Sequence, residues 1–187
     1  MRVIAGTARS LPLKAPEGMD TRPTTDRIKE TLFNILQPVL QGAVFVDIFS
    51  GSGAIGIEAL SRGAKKAYFV ENSSKALDCI RQNLAFTKLA DRAIVIRQEA
   101  SLALRGIDEK EADIVFMDPP YNCGHEQQVL GVLKELGWVT SETLVIVEAA
   151  LDADFSWVQD LDFYVDREKR YKTNKHIFLR RTSGESV

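Results

Sequence analysis

Four consecutive residues near the middle of the chain, Asp118-Pro119-Pro120-Tyr121, combine groups that can hold a planar amine. Two prolines fix successive φ angles and donate no N–H, so the turn is stiff and its carbonyls are free to accept. A carboxylate, exposed carbonyls and an aromatic face are thereby kept within one rigid turn. Its oxygen atoms would accept the hydrogens of an exocyclic amine while Tyr121 stacks on the ring that bears it. The plainer reading of the same residues is a proline turn with Asp118 as an N-cap.

A second group of residues suggests what that amine would meet. The apolar run Ala43 to Phe49 reads as a buried strand and ends in Ser50-Gly51-Ser52-Gly53-Ala54-Ile55-Gly56, a glycine loop leading into a helix over Ile57 to Arg62. Gly51, Gly53 and Gly56 make the G-x-G-x-x-G pattern of a nucleotide-binding turn, and Glu71, about 20 residues on, can bind ribose hydroxyls. The pattern alone leaves the cofactor open. Asp47 narrows it, because a carboxylate just before the loop opposes a pyrophosphate and suits an ammonium and a sulfonium, the charges of S-adenosylmethionine. A strand-end Asp capping the loop is the alternative. Asp47, Ser50, Gly51, Ser52, Gly53, Glu71, Asn72, Glu99 and Ala100 are the cofactor-binding residues expected on this reading.

The elements that must position these groups follow from periodicity. Arg2 to Ala5 and Leu11 to Lys14 are short extended segments around Gly6 to Ser10, a hairpin pattern, and residues 15–23 are turn-rich. Thr24 or Thr25 caps a helix with Ile28, Leu32, Ile35 and Leu36 on one face and Arg27, Glu30, Thr31 and Asn34 on the other, stopped by Pro38. Strands are expected at Ala67 to Val70, Ala93 to Ile96, Asp113 to Met117 and Thr143 to Val147. Helices are expected from Ser73 or Ser74 to Phe86, with Arg81 and Asn83 facing solvent, at Ser101 to Arg105, and from Gln127 to Leu136 with Gly137 ending it. Phe163 to Lys169 and His176 to Arg180 read as a terminal antiparallel pair. This alternation predicts an α/β fold, a doubly wound, mainly parallel seven-stranded sheet with a short N-terminal hairpin extension, in one domain: residues 1–23 the extension, 24–187 the core. In such sheets ligands bind beyond the carboxyl ends of strands, where Gly51, Glu71, Glu99 and Asp118 all fall.

Composition bounds the remaining possibilities. With 187 residues and a net charge of −2, the chain has the balance of a soluble protein, no apolar run of membrane-spanning length and no signal-peptide core at Met1 to Ser10, so it is expected in the cytoplasm. Cys79 and Cys123 lie far apart with no metal-ligand spacing, and neither a disulfide nor a metal site is indicated. Basic residues gather at the two ends: Arg2, Arg9, Lys14, Arg22, Arg27 and Lys29, then Arg167, Lys169, Arg170, Lys172, Lys175, Arg180 and Arg181. They are either phosphate-binding arms or solvated surface. Arg22, Arg27, Arg170 and Lys172 are the substrate contacts expected on the first reading. His125, four residues past Tyr121, is taken as a loop residue, and His176 as strand packing.

The order D-x-x-x-G-x-G, an acid after each of the next two strands, then D-P-P-Y resembles a class I S-adenosylmethionine-dependent methyltransferase acting on amines. Arg22-Pro23-Thr24-Thr25-Asp26-Arg27, continuing through Glu30-Thr31-Leu32-Phe33-Asn34, resembles the segment that marks the RsmD family. The resemblance covers nearly the whole chain. It implies methyl transfer to N2 of a guanine in small-subunit 16S ribosomal RNA, with Asp118, Pro119, Pro120 and Tyr121 at the reacting amine. It also implies a subunit-bound substrate whose proteins supply some contacts, and an enzyme acting as a monomer. The residues themselves leave open adenine N6 or a glutamine amide as acceptor, a nicotinamide cofactor, and a non-catalytic assembly module.

Overall fold

The computed structural model describes residues 1–16, 25–121 and 123–183. Arg22, Pro23 and Thr24 lie outside the described residues. Seven strands, β1 (Val44–Ile48), β2 (Lys66–Glu71), β3 (Ala93–Arg97), β4 (Ile114–Met117), β5 (Leu144–Ala150), β6 (Phe163–Arg170) and β7 (Asn174–Arg181), form one sheet in the order β3-β2-β1-β4-β5-β7-β6. The first five are parallel, and β7 inserts antiparallel between β5 and β6. Strand order reverses between β1 and β4, the switch point where open α/β sheets leave a crevice.

Successive side chains of a strand point to opposite faces, and the two packed clusters divide accordingly. Val44, Val46 and Ile48 face one cluster with α4 (Ala100–Arg105) and α5 (His125–Leu133). Phe45, Phe69, Phe116, Ile146 and Phe178 face the other, covered by α1 (Asp26–Leu40), α2 (Ala54–Ser61) and α3 (Ser74–Thr87). Asp47 shares the parity of Phe45. Glu71, Asp118 and Glu148 lie two residues beyond Phe69, Phe116 and Ile146, which neighbour one another or Asp47 across the sheet. One face and one rim therefore collect all four carboxylates.

Several boundaries differ from the sequence expectation. Pro38 does not stop α1, which runs on to Leu40. Leu36 and Leu40 are both fully buried one turn apart, and that burial holds the last turn despite the missing N–H. Thr25 is the cap, its hydroxyl accepting from the Ile28 N–H. Gly56 lies within α2 rather than in the loop; a Cβ there would come 2.4 Å from the Phe69 ring, so its absence lets α2 sit on β2. Helix α5 ends at Leu133, before Gly137, because the chain tightens into i→i−3 bonds from Glu135 and Leu136. Asn83 faces inward and is 2 % exposed. Its side chain bonds both backbone groups of Lys14 and the Ser52 carbonyl, tying the N-terminal segment to the glycine loop.

The expected N-terminal hairpin is reduced to one bridge, Arg2 opposite Pro12, with flanking bonds from Val3, Ser10 and Leu13. It is anchored instead by Glu58, fully buried in α2, which accepts from the Ile4 and Ala5 N–H groups at 2.8 and 3.0 Å. Lys29 and Arg62 neutralise that carboxylate at 3.4 and 2.7 Å, and Lys29 also donates to the Arg2 carbonyl. Burial nevertheless holds the Lys29 ammonium below the usual lysine range. A buried group of this kind is stable only as a complete set, since losing one partner costs about 3–5 kcal/mol.

Candidate functional site

A cavity of about 870 Å³ opens at the carboxyl ends of the strands, beside the β1–β4 switch point. The loop after β1 builds its floor. Phe49 adopts φ 60°, an uncommon left-handed conformation for an aromatic residue, and turns the chain out of the strand. Gly51 and Gly53 follow at φ 54° and 77°, and Gly53 is the N-cap of α2. The Ser50 hydroxyl donates to the Asp47 carbonyl at 2.7 Å and closes the turn. Gly51 and Ser52 reach the cavity wall, whereas Gly53 does not; its role is the left-handed turn itself.

Asp47 is buried, and one carboxylate oxygen accepts the Gly56 N–H at 2.9 Å. Burial pushes its pKa up to about 7; the Gly56 bond works against the shift and neighbouring Glu71 adds to it. Glu71 accepts the Gly51 N–H at 2.9 Å on one oxygen and those of Asn72 and Ser73 at 2.9 Å on the other. It thereby fixes both the glycine loop and the start of α3 while retaining acceptor capacity on Oε2, the oxygen that takes the Gly51 N–H. Asn72 lines the cavity at the end of β2, and Gln98, Glu99 and Ala100 line it at the end of β3. The Glu99 carboxylate also caps α4, accepting from the Ser101 and Leu102 N–H groups.

Asp118, Pro119, Pro120 and Tyr121 form the wall after β4. Asp118 is half-buried and its carboxyl is raised well above the usual range, first by burial, then by the Glu148 and Asp47 charges. Tyr121 presents an exposed ring. His125, placed in a loop by sequence, is the first residue of α5, and its ring packs 5.5 Å from that of Phe49. Sequence reasoning missed Phe49 and Glu148, because an aromatic after a strand and an acid in an apolar run carry no motif. His176 is fully buried, as its strand position predicts, but it faces Glu148 rather than packing only against apolar groups.

Five acids line the cavity, Asp47, Glu71, Glu99, Asp118 and Glu148, and among the described lining residues there is no lysine or arginine. That donor set fits an adenosyl ligand carrying ammonium and sulfonium charges and opposes a dinucleotide's pyrophosphate. The described residues hold no cluster of three or more His, Cys, Asp or Glu arranged for a metal ion, and none of their helices is long and apolar enough to cross a membrane.

Residues 1–180 match the model of the family described as conserved hypothetical protein 95. The chain belongs to this family, the RsmD family. It is 36 % identical over 188 residues to "Ribosomal RNA small subunit methyltransferase D" of Escherichia coli K12, covering 100 % of this chain and 93 % of that protein. The Haemophilus influenzae protein of the same name is 36 % identical over 156 residues, 81 % of this chain and 80 % of that one. The solved structure titled "Putative methyltransferase yhhF from Escherichia coli" superposes with a TM-score of 0.82 at 34 % identity, covering 98 % of both chains. This RsmD-family chain shares their Rossmann-like α/β methyltransferase fold.

The basic residues divide once located. Lys29 and Lys175 are buried, the latter facing Glu168 at 3.5 Å, and Arg180 and Arg181 donate to the Glu142 and Val139 carbonyls. These are structural rather than surface charges. Arg170 is exposed yet bonded to Glu168 at 2.9 Å and to the Leu151 carbonyl. Arg27 and Lys172 are exposed, and Lys172 adjoins Thr173 and Asn174 on the cavity wall.

Proposed function

We propose that the protein transfers a methyl group from S-adenosylmethionine to the exocyclic N2 amine of a guanine in small-subunit ribosomal RNA. The observation that carries this reading is the Asp118-Pro119-Pro120-Tyr121 turn on a cavity lined by acids and free of basic side chains among the described residues. Asp47, the Gly51–Ser52 backbone, Glu71 and Asn72 would hold the cofactor, with Gln98 to Ala100 beside the adenine. When bound, it supplies an activated methyl group.

The residues of this chain then align and polarise the acceptor. An exocyclic amine conjugated with its base is a poor nucleophile. N–H bonds to the Asp118 carboxylate and the Pro119 carbonyl localise its lone pair and stabilise the positive charge that grows on nitrogen. Tyr121 stacks on the base once it is swung out of its RNA context. The ionised Asp118, or water, takes the departing proton. The relatives' names support ribosomal RNA as substrate. A partly or fully assembled subunit presents the guanine, and one chain acts in the cytoplasm as a monomer, since a single copy carries every group used.

The deciding experiment is transfer of tritiated methyl to small subunits from cells lacking the modification, followed by nucleoside analysis. N2-methylguanosine is the expected product; N6-methyladenine, or no incorporation, overturns the reading. Arg27 and Lys172, with Arg22 and Arg170, contact phosphate in this scheme. Replacing Arg27 and Lys172 together with alanine is expected to reduce the salt-dependence slope of subunit binding by about two. An unchanged slope assigns them to solvated surface.

A further inference from the structure

Beyond Asp118, the cavity wall continues through two residues outside the motifs, Glu148 of β5 and Asn174 of β7. They are 5 % and 6 % exposed. Met117 pairs with Val147, so Asp118 and Glu148 stand side by side at adjacent strand ends. Antiparallel β7 brings His176 opposite Glu148 and Asn174 opposite Ala150. The Asn174 amide donates to Glu148 Oε1, and His176 Nε2 lies 3.1 Å from Oε2. His176 is itself fixed by Tyr171, whose hydroxyl is 3.1 Å from Nδ1, and by edge contacts with Phe116 and Phe178.

This network braces a carboxylate from behind and leaves each oxygen one further acceptor position. On the same wall the buried Oδ1 of Asn174 has no hydrogen-bond partner. Reversing the amide would turn that oxygen against the Glu148 carboxylate, so the orientation is fixed by the network. The rim order separates two ligands: the acids after β3, β2 and β1 serve the cofactor, and β4, β5 and β7 are left for the acceptor base. Beside the side chains of Tyr121, His125 and Thr173, that second half offers as acceptors Asp118, the Pro119 carbonyl and Glu148.

We infer that Glu148, braced by Asn174 and His176, selects the base by accepting the N1–H of guanine beside the N2 amine held by Asp118. This rests on the methyl transfer to guanine proposed above. Adenine and cytosine each carry their amine next to a ring nitrogen that accepts, and uracil has no amine. Guanine alone offers an amine next to a ring N–H. Against Glu148 the other amino bases would set lone pair against carboxylate and leave a buried acceptor unpaired, the arrangement that gives the largest discrimination.

The test uses reconstituted small subunits carrying guanosine or 2-aminopurine at the methylated position. 2-Aminopurine keeps the amine but has an acceptor at N1. The native enzyme is expected to lose at least about a hundredfold in kcat/KM on 2-aminopurine. Glu148→Gln, whose amide both donates and accepts, narrows the gap to within about tenfold while S-adenosylhomocysteine binding stays unchanged. Native enzyme methylating both within about tenfold overturns the selection role, and that comparison needs no variant. Glu148→Gln slowing both substrates alike overturns it too, leaving Glu148 a brace. No transfer to guanosine by the native enzyme overturns the proposed function itself, and the inference with it.

Discussion

Asp118→Ala retains S-adenosylhomocysteine binding within about threefold and loses methyl transfer by about a thousandfold, on the scale of removing a preorganised charge-stabilising group. The separation is expected because Asp118 follows β4, while the glycine loop follows β1 and Glu71 ends β2. Its carboxyl also sets a pH dependence. Burial, then Glu148, then Asp47 raise its pKa, so the proton is held to higher pH than on an ordinary aspartate. Only the ionised form accepts the amine hydrogen without competing as a donor. Turnover at saturating cofactor should therefore rise with pH through that raised pKa and fall on the acid side. Asp118→Asn keeps the shape, loses the charge and flattens this limb. Near-normal turnover in Asp118→Ala would sink the assignment.

The second large effect has two parts of opposite sign. Asp47→Asn should weaken S-adenosylmethionine binding by about a hundredfold and stabilise the ligand-free protein at pH 8 by about 4 kcal/mol. The sign follows from the folded pKa of about 7 against an ordinary value of 3.8. Between those values the unfolded carboxylate is already ionised while the folded one still holds its proton. Stability is thus lost as pH rises through this window, and the full loss is reached above about pH 7. Asparagine carries no such penalty, and its amide oxygen can still accept the Gly56 N–H. A cationic ligand offsets the same penalty in the native protein, so binding below pH 7 should release a proton. Melting curves at pH 4 and pH 8, with calorimetry in two buffers of different ionisation enthalpy, test both parts. Unaltered affinity, or a lower melting point at pH 8, would refute the account.

Asn83 shows why some positions resist sequence reading. It sits on α3 at a position whose neighbours read as solvent-facing, and segments far away in sequence, Lys14 and Ser52, give its amide partners. Lys29 reads in sequence as one of the basic residues of the N-terminal arm and is instead fully buried against Glu58 and Arg62, from a different helix. A long charged side chain looks the same in sequence whether its partner is water or a distant carboxylate. Arg180 and Arg181 repeat the point, since their guanidinium groups serve carbonyls some 40 residues upstream, at Glu142 and Val139.

The sequence by itself determined the strand–loop–helix unit around Gly51, the alternation that builds a parallel sheet, and the positions of Asp47, Glu71, Glu99 and Asp118 at strand ends. These are local properties: hydrophobic period, glycine placement and proline stiffness act over a few residues and are written in order along the chain. The tertiary structure alone decided that Glu148 stands beside Asp118 and that Asn174 and His176 brace it. That arrangement depends on β7 inserting antiparallel between β5 and β6, with Glu148 opposite His176. Nothing within reach of Glu148 in the sequence records that pairing. It arises when distant strands close the sheet, and only then does an acid in an apolar strand come to line the cavity beside Asp118.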